Sequence, residues 1–189
     1  MNRLYLAEIA SGLSAPEFPG EAFAAHISRP LHPRVLAERL TVWNLLARAV
    51  REAGAVPLPE VAFEGYGKPV FTDSPLHFSL SHSGKFAAVL LSDAPCGVDV
   101  ELAREPVEER LARRVLTERE RAAGLDFYDV WTRKECVGKL DGRGLRALET
   151  EISDFAGMNW LTTDVFDSEG QKYRLAALCA DQTGIIRCF

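Results

Sequence analysis

The sequence is poor in the features that mark secreted, membrane or nucleic-acid-binding proteins. It has four cysteines in 189 residues. Cys96, Cys136, Cys179 and Cys188 form no C-x-x-C pair and have no histidine at zinc-finger spacing, which argues against a thiol redox motif and a structural zinc site. They are expected to be reduced thiols, mostly packing residues. No segment approaches the ~20 apolar residues of a membrane span, and Met1 to Glu8 lacks the long apolar run of a signal peptide. The expectation is a cytoplasmic chain with no membrane partner. Positive charge is also short. With 22 Lys and Arg against 27 Asp and Glu the net charge is -5, whereas phosphate-backbone recognition demands a basic face, so no nucleic-acid partner is expected. A G-x-S-x-G elbow is missing, and Ser81, His82 and Ser83 are adjacent, so they cannot form the geometry of a nucleophile and its base. A serine hydrolase is thereby disfavoured.

What the chain does hold is 47% hydrophobic residues, enough to build the core of one large domain or two small ones. It also holds two segments that together supply three carboxylates and a lysine. In Gly97-Val98-Asp99-Val100-Glu101 the valines alternate with the acids, so a strand here buries Val98 and Val100 and projects Asp99 and Glu101 from the opposite face. Side chains two apart on a strand stand roughly 7 Å apart, close enough to repel and able to converge on one cation. The same pattern equally describes an edge strand with two solvated acids. In Trp131-Thr132-Arg133-Lys134-Glu135-Cys136-Val137-Gly138-Lys139, near-helical apolar spacing stacks Trp131, Glu135 and Lys139 at i, i+4 and i+8. This fits a Glu-to-Lys pair worth a few tenths of a kcal/mol. It also fits a third metal ligand or general base, with a lysine one turn on facing a phosphate. Magnesium favours such a mixture of a few carboxylates, water and substrate phosphates. Gly138, inside the helix, costs ~1 kcal/mol relative to alanine and predicts softer support for Glu135 and Lys139.

Upstream, Tyr66-Gly67-Lys68-Pro69-Val70-Phe71 precedes His77-Phe78-Ser79-Leu80, a short alternating strand, and Ser81-His82-Ser83-Gly84, a polar turn. That turn suits an ordinary capped loop as well as a set of donors for a phosphate. From Arg104 to Arg121 six arginines are mixed with glutamates in a helical pattern. They suit a solvated face of i,i+4 pairs, or a surface in which Arg110, Arg113 or Arg114 meets an acidic partner helix.

The coarse order of elements is legible. A strand near residues 4–9 leads through a Pro/Gly-rich loop to an amphipathic helix over 34–53, ended by Gly54. Strands near 61–63, 77–80 and 87–92 follow, then Ala94-Pro95 as punctuation. A strand at 97–101, helices at 107–123 and 127–140, and strands near 152–155, 161–167 and 173–180 complete the chain. No residue-level repeat is visible, yet strand and helix content is similar in the two halves.

These elements, in this order, carry a family likeness. GKPVF, FSLSHSG, GVDVE and WTRKECVGK with GRGL resemble successive signatures of the 4′-phosphopantetheinyl transferase superfamily, in its larger, Sfp-like type. The similarity runs from about Tyr66 to Leu145. The resemblance implies an α+β fold of two similar subdomains packed as a pseudo-dimer, residues 1–95 and 96–189, with the active site between them. It implies transfer of the phosphopantetheine arm of coenzyme A to a serine of an apo acyl or peptidyl carrier protein in fatty-acid, polyketide or nonribosomal peptide synthesis, with release of adenosine 3′,5′-bisphosphate. By similarity Asp99, Glu101 and Glu135 bind Mg2+, Glu135 is the base, Lys139 stabilises the transferred phosphate, and Lys68, Ser81 and His82 hold coenzyme A. The basic cluster that grips the nucleotide 3′-phosphate in the family is thinned here by Pro30 and Pro33. Arg29, Arg34 and Arg39 are its candidates, with Arg39 the best placed, at the start of the helix. A monomer suffices, since one chain supplies both cleft walls. A noncatalytic binder of coenzyme A or a carrier is the alternative.

Overall fold

Strand β5 (Phe86–Ser92) is buried from end to end, because a run of apolar residues with no polar face needs cover on both sides. One side, through Ala87, Val89 and Leu91, packs on Trp43, Leu46 and Val50 of helix α2 (Pro33–Glu52). The other side, through Ala88 and Leu90, meets Val98 and Val100 of β6 (Cys96–Leu102) and Leu175 and Ala177 of β8 (Lys172–Cys179). The structure, a computed structural model, describes residues 1–188; Phe189 and the side chain of Leu145, last residue of the GRGL signature, lie outside the described residues.

Two sheets result. In the first, β4 (His77–Ser83) and β1 (Asn2–Glu8) flank β5 antiparallel, and β9 (Ile185–Cys188) joins β1 in parallel. In the second, β8 lies between β6 and β7 (Asn159–Phe166), antiparallel to both. Helix α5 (Phe127–Asp141) covers the outer face of the second sheet, with Cys136 and Val137 against Ala176 and Leu178. The layers are therefore α2, first sheet, second sheet, α5, an α+β arrangement as expected. A hairpin of β2 (Val61–Glu64) and β3 (Lys68–Phe71) stands at one side.

Helix α5 is well delimited. The Asp126 carboxylate accepts the Asp129 amide at its N-terminus, and Gly142 in the left-handed conformation (φ +76°) closes it. Gly138 corrects the expected softness. A Cβ there would lie 2.4 Å from the Gly144 carbonyl oxygen, so the glycine admits the 3-10 turn Gly144–Glu149 against the helix. At Gly97 a Cβ would fall 2.0 Å from the Cys136 carbonyl oxygen. Both glycines permit close approach to α5, and the expected cost in helix propensity is the condition for tight packing there.

Other expectations are corrected. Residues 152–155 form a 3-10 turn, Ile152–Phe155, rather than a strand, because the Ile152 amide donates to Glu120 Oε1 (3.1 Å) instead of to a sheet neighbour. The single helix expected over 107–123 is two, α3 (Glu109–Val115) and α4 (Glu118–Ala122). Leu116 is extended between them, and Thr117 restarts the helix through a capping box with Glu120. Ser81 to Ser83 continue β4 rather than turning. The turn falls at Gly84 (φ +57°), since the serine hydroxyls find partners across on β6. Helix α1 (Glu21–Ile27), β3 and β9 were not expected as elements.

Candidate active site

The carboxylate strand β6 is the edge of its sheet nearest β4, and its alternation places Asp99 and Glu101 on the side facing α5 while Val98 and Val100 enter the core. Helix α5 brings Glu135 and Lys139, one turn apart, onto the same region. A cleft of ~450 Å³ opens there, bordered by Arg39, Trp43, Ser81, His82, Asp99, Glu101, Glu135 and Lys139. A second lobe of ~310 Å³ shares Glu135 and Lys139 and extends to Tyr66, Lys68 and Gly142. These volumes match those of small-molecule sites. All eight residues singled out in the sequence, Arg39, Lys68, Ser81, His82, Asp99, Glu101, Glu135 and Lys139, thus lie on one two-lobed cavity.

Their polar contacts are specific. Lys139 Nζ donates to Asp99 Oδ1 (2.7 Å) and to the Val98 carbonyl oxygen (2.9 Å). Ser81 Oγ donates to Asp99 Oδ1 (2.8 Å), and Ser83 Oγ to Glu101 Oε2 (2.9 Å). Lys68 Nζ reaches the Leu140 carbonyl oxygen (2.7 Å), tying the β2–β3 hairpin to the last turn of α5. Arg39 Nη1 donates to the His26 carbonyl oxygen (2.5 Å) and borders the cleft, whereas Arg34 pairs with Glu38 at the surface. His82 Nδ1 lies 3.8 Å from Glu38 Oε2.

Charge is crowded here. Burial, and then the neighbouring Asp99, push the Glu101 carboxyl up to about 7 against the opposing pull of Ser83 and Lys139. The same two causes raise Glu135. Burial works against the Lys139 ammonium, but Asp99, together with Cys136 and Glu135, outweighs it and the amine is raised. Burial lowers His82, so its ring is neutral at pH 7, with Glu38 pulling the other way.

A divalent cation fits this donor set. Asp99 Oδ2 is buried and has no hydrogen-bond partner among the described residues, and a buried carboxylate oxygen left bare is costly. Asp99, Glu101 and Glu135 are hard oxygen donors that repel one another without a cation between them. Among the described residues no three His, Cys, Asp or Glu side chains stand close enough to share an ion as they are, Asp99 Oδ1 being held by Lys139 and Ser81.

One consequence is measurable in the absence of metal. An unfolded glutamate titrates near the ordinary carboxylate range, and Glu101 in the fold near 7. The folded protein therefore holds that proton more tightly between those values, and stability falls as pH rises from about 4.5 to 7. Glu101→Gln in EDTA is expected to be the more stable protein at pH 7.5, by on the order of 2 kcal/mol after screening by water, with the gap closing towards pH 4.5. Thermal melts across that range check it; a parallel offset at every pH contradicts it.

Several contributors escaped the motif reading. A turn is expected at Ser83, although the S-x-S-x-S alternation of residues 79–83 places its hydroxyl on the strand face that carries Ser79 and Ser81. Lys134 and Glu120 form a buried ion pair behind α5 (2.7 Å), of which only the T-x-x-E capping pattern at Thr117 gave notice. Trp131 faces away from the cleft lobes and packs on Phe127 beside Ser83 and Glu101.

Comparison with known proteins adds an independent line. Residues 95–184 match the family model described as the 4'-phosphopantetheinyl transferase superfamily. The 4'-phosphopantetheinyl transferase AcpT of Escherichia coli K12 is 37% identical over 155 residues, covering 75% of this chain and 74% of that protein. The 4'-phosphopantetheinyl transferase psf-1 of Bacillus pumilus is 34% identical over 116 residues, 53% of this chain and 48% of that protein, so the chain matches about half the length of this relative. The transferase Sfp of Bacillus subtilis is 33% identical over 90 residues, 42% of this chain and 40% of that protein.

Proposed function

We propose, since this chain belongs to the 4′-phosphopantetheinyl transferase superfamily, that it transfers the phosphopantetheine arm of coenzyme A to a serine hydroxyl of an apo acyl or peptidyl carrier protein. The observation that carries the reading is the convergence of Asp99, Glu101, Glu135 and Lys139 on one cleft, with Asp99 Oδ2 buried and bare. Asp99, Glu101 and Glu135 would hold Mg2+, which when bound supplies positive charge to the diphosphate being cleaved. The chain's own groups do the rest. Glu135, its carboxyl raised by burial and by Asp99, takes the proton of the carrier serine. The serine oxygen bonds to the phosphorus that carries pantetheine, and the bond from that phosphorus to the departing nucleotide oxygen breaks, releasing adenosine 3′,5′-bisphosphate. Lys139, cationic and aimed at the carboxylate cluster, stabilises charge on the transferred phosphate.

Arg39, Lys68, Ser81 and His82 line the wall from residues 1–95 and would face the coenzyme. The Ser81 proton is already given to Asp99, so the His82 ring is the side chain of this pair left to meet a phosphate. We read residues 1–95 and 96–189 as subdomains of a pseudo-dimer with the cleft between them, a layout in which a monomer suffices. Helix α3 carries exposed Arg110 and Arg114, with Arg113 paired to Glu109, and is the surface proposed for an acidic carrier helix. Among the described residues no helix is long and apolar enough to cross a membrane; a cytoplasmic setting, where coenzyme A and carriers meet, is part of the proposal.

The test is intact-protein mass spectrometry of an apo acyl carrier protein and an apo peptidyl carrier domain, each with this protein, coenzyme A and magnesium. A gain of one phosphopantetheine that EDTA prevents is the expected result. Coenzyme A binding with no gain on either carrier would instead mark a noncatalytic binder.

A further inference from the structure

Strands β4 and β6 lie side by side but share no backbone ladder. The outer edge of β6 would leave the amides of Val98, Val100 and Leu102 unpaired, which a buried edge does not tolerate. Three serines of β4, at alternate positions, supply the acceptors: Val98 N to Ser79 Oγ (3.0 Å), Val100 N to Ser81 Oγ (3.3 Å) and Leu102 N to Ser83 Oγ (3.2 Å). A hydroxyl also has one proton to give. With a lone pair fixed by an amide of β6, that proton is directed. Ser81 gives it to Asp99 Oδ1 and Ser83 to Glu101 Oε2, whereas among the described residues Ser79 is bonded to no carboxylate.

The two directed hydroxyls are not equivalent. Asp99 is also held by Lys139, so it keeps an anchor without Ser81. Among the described residues Ser83 is the sole hydrogen-bond donor to the Glu101 side chain, a long carboxylate with three rotors of its own. We propose that Ser83 is a positioning residue for Glu101: it fixes one carboxylate oxygen so that the other stands ready for a divalent cation. This rests on the reading of Asp99, Glu101 and Glu135 as metal ligands. Ser79 performs the edge-closing task alone and is the internal control.

The experiment measures Mn2+ binding by the loss of its free-ion electron paramagnetic resonance signal, with coenzyme A present and carrier protein left out so that nothing turns over. Groups that hydrogen-bond a metal's ligands commonly contribute 10–100-fold in affinity. Ser83→Ala is expected to weaken Mn2+ binding about 10-fold, Ser83→Thr to recover most of it, and Ser79→Ala to leave it unchanged although both alanine variants leave one β6 amide without its acceptor. Equal affinity in Ser83→Ala and the parent overturns the inference, as does an equal loss in Ser79→Ala, which would mean general loosening. If the parent itself binds no Mn2+, the assignment of the ligands fails and the inference with it. Should Ser83→Ala not fold by circular dichroism, Ser83→Cys takes its place, filling the same space with a weak donor.

Discussion

Glu135→Gln is expected to slow phosphopantetheine transfer by at least ~100-fold, the lower end of what a positioned general base contributes, while the protein melts no lower than its parent. The substitution keeps the shape of the side chain and removes only its charge. That charge is disfavoured where it stands: burial and the Asp99 carboxylate both act against ionised Glu135, with Lys139 the one opposing cation. Its loss therefore relieves the resting fold, and under the proposed mechanism it removes the base and weakens one ligand of the metal, the latter offset by saturating magnesium. Single-turnover mass spectrometry at saturating magnesium gives the rate, and a thermal melt gives the stability. A rate within about threefold of the parent would remove Glu135 from the chemistry.

The second large effect lies behind the cleft. Lys134 is fully buried, and its ammonium donates to the carbonyl oxygens of Val115 (2.7 Å) and Leu148 (3.1 Å) and to Glu120 Oε2 (2.7 Å). Glu120, also buried, accepts the amides of Thr117 (2.9 Å) and Ile152 (3.1 Å). One lysine thus holds α3, α4 and both 3-10 turns to α5. Breaking a buried pair by removing one partner leaves a charge without compensation, so Lys134→Met is expected to cost about 3–5 kcal/mol. Urea denaturation at pH 7 measures it. Burial pushes the Glu120 carboxyl up, but the Lys134 bond and the two amides together hold it below its ordinary value. Its contribution is therefore present above the ordinary carboxylate range and disappears as pH falls through the lowered value, and the penalty of Lys134→Met shrinks in acid. Pairing Lys134→Met with Glu120→Leu should recover much of the loss, since apolar replacement of both partners is often near neutral. A loss under 1 kcal/mol for Lys134→Met alone would show that the pair does not tie these elements together.

The parts of this molecule that sequence reveals are those fixed by local periodicity. The apolar face around Trp43 and Leu46 announces α2, and the alternation of Val98 and Val100 with Asp99 and Glu101 announces the carboxylate strand and which face it exposes. The motif order and the family likeness assign eight polar residues to one site, and all eight line the two lobes of the cleft. What local pattern could not show were outcomes decided by distant partners. The extension of β4 through Ser83 depends on amides of β6 some nineteen residues away. Ile152–Phe155 is expected as a strand, yet its first amide is claimed by Glu120. β9 is a short segment whose partner, β1, lies at the other end of the chain. Gly138 looked like a weakness because helix propensity is a property of one segment, while the space it vacates belongs to another.

The serine seam between β4 and β6 has a mechanical consequence. A backbone ladder resists sliding because its bonds are held by two stiff chains and must break together. Bonds through hydroxyls turn on single side-chain torsions, so one sheet can shift slightly along the other while each bridge follows. The register between the two sheets is thus held by three rotatable side chains rather than by paired backbones, so each bridge can be cut singly by mutation without unzipping its neighbours.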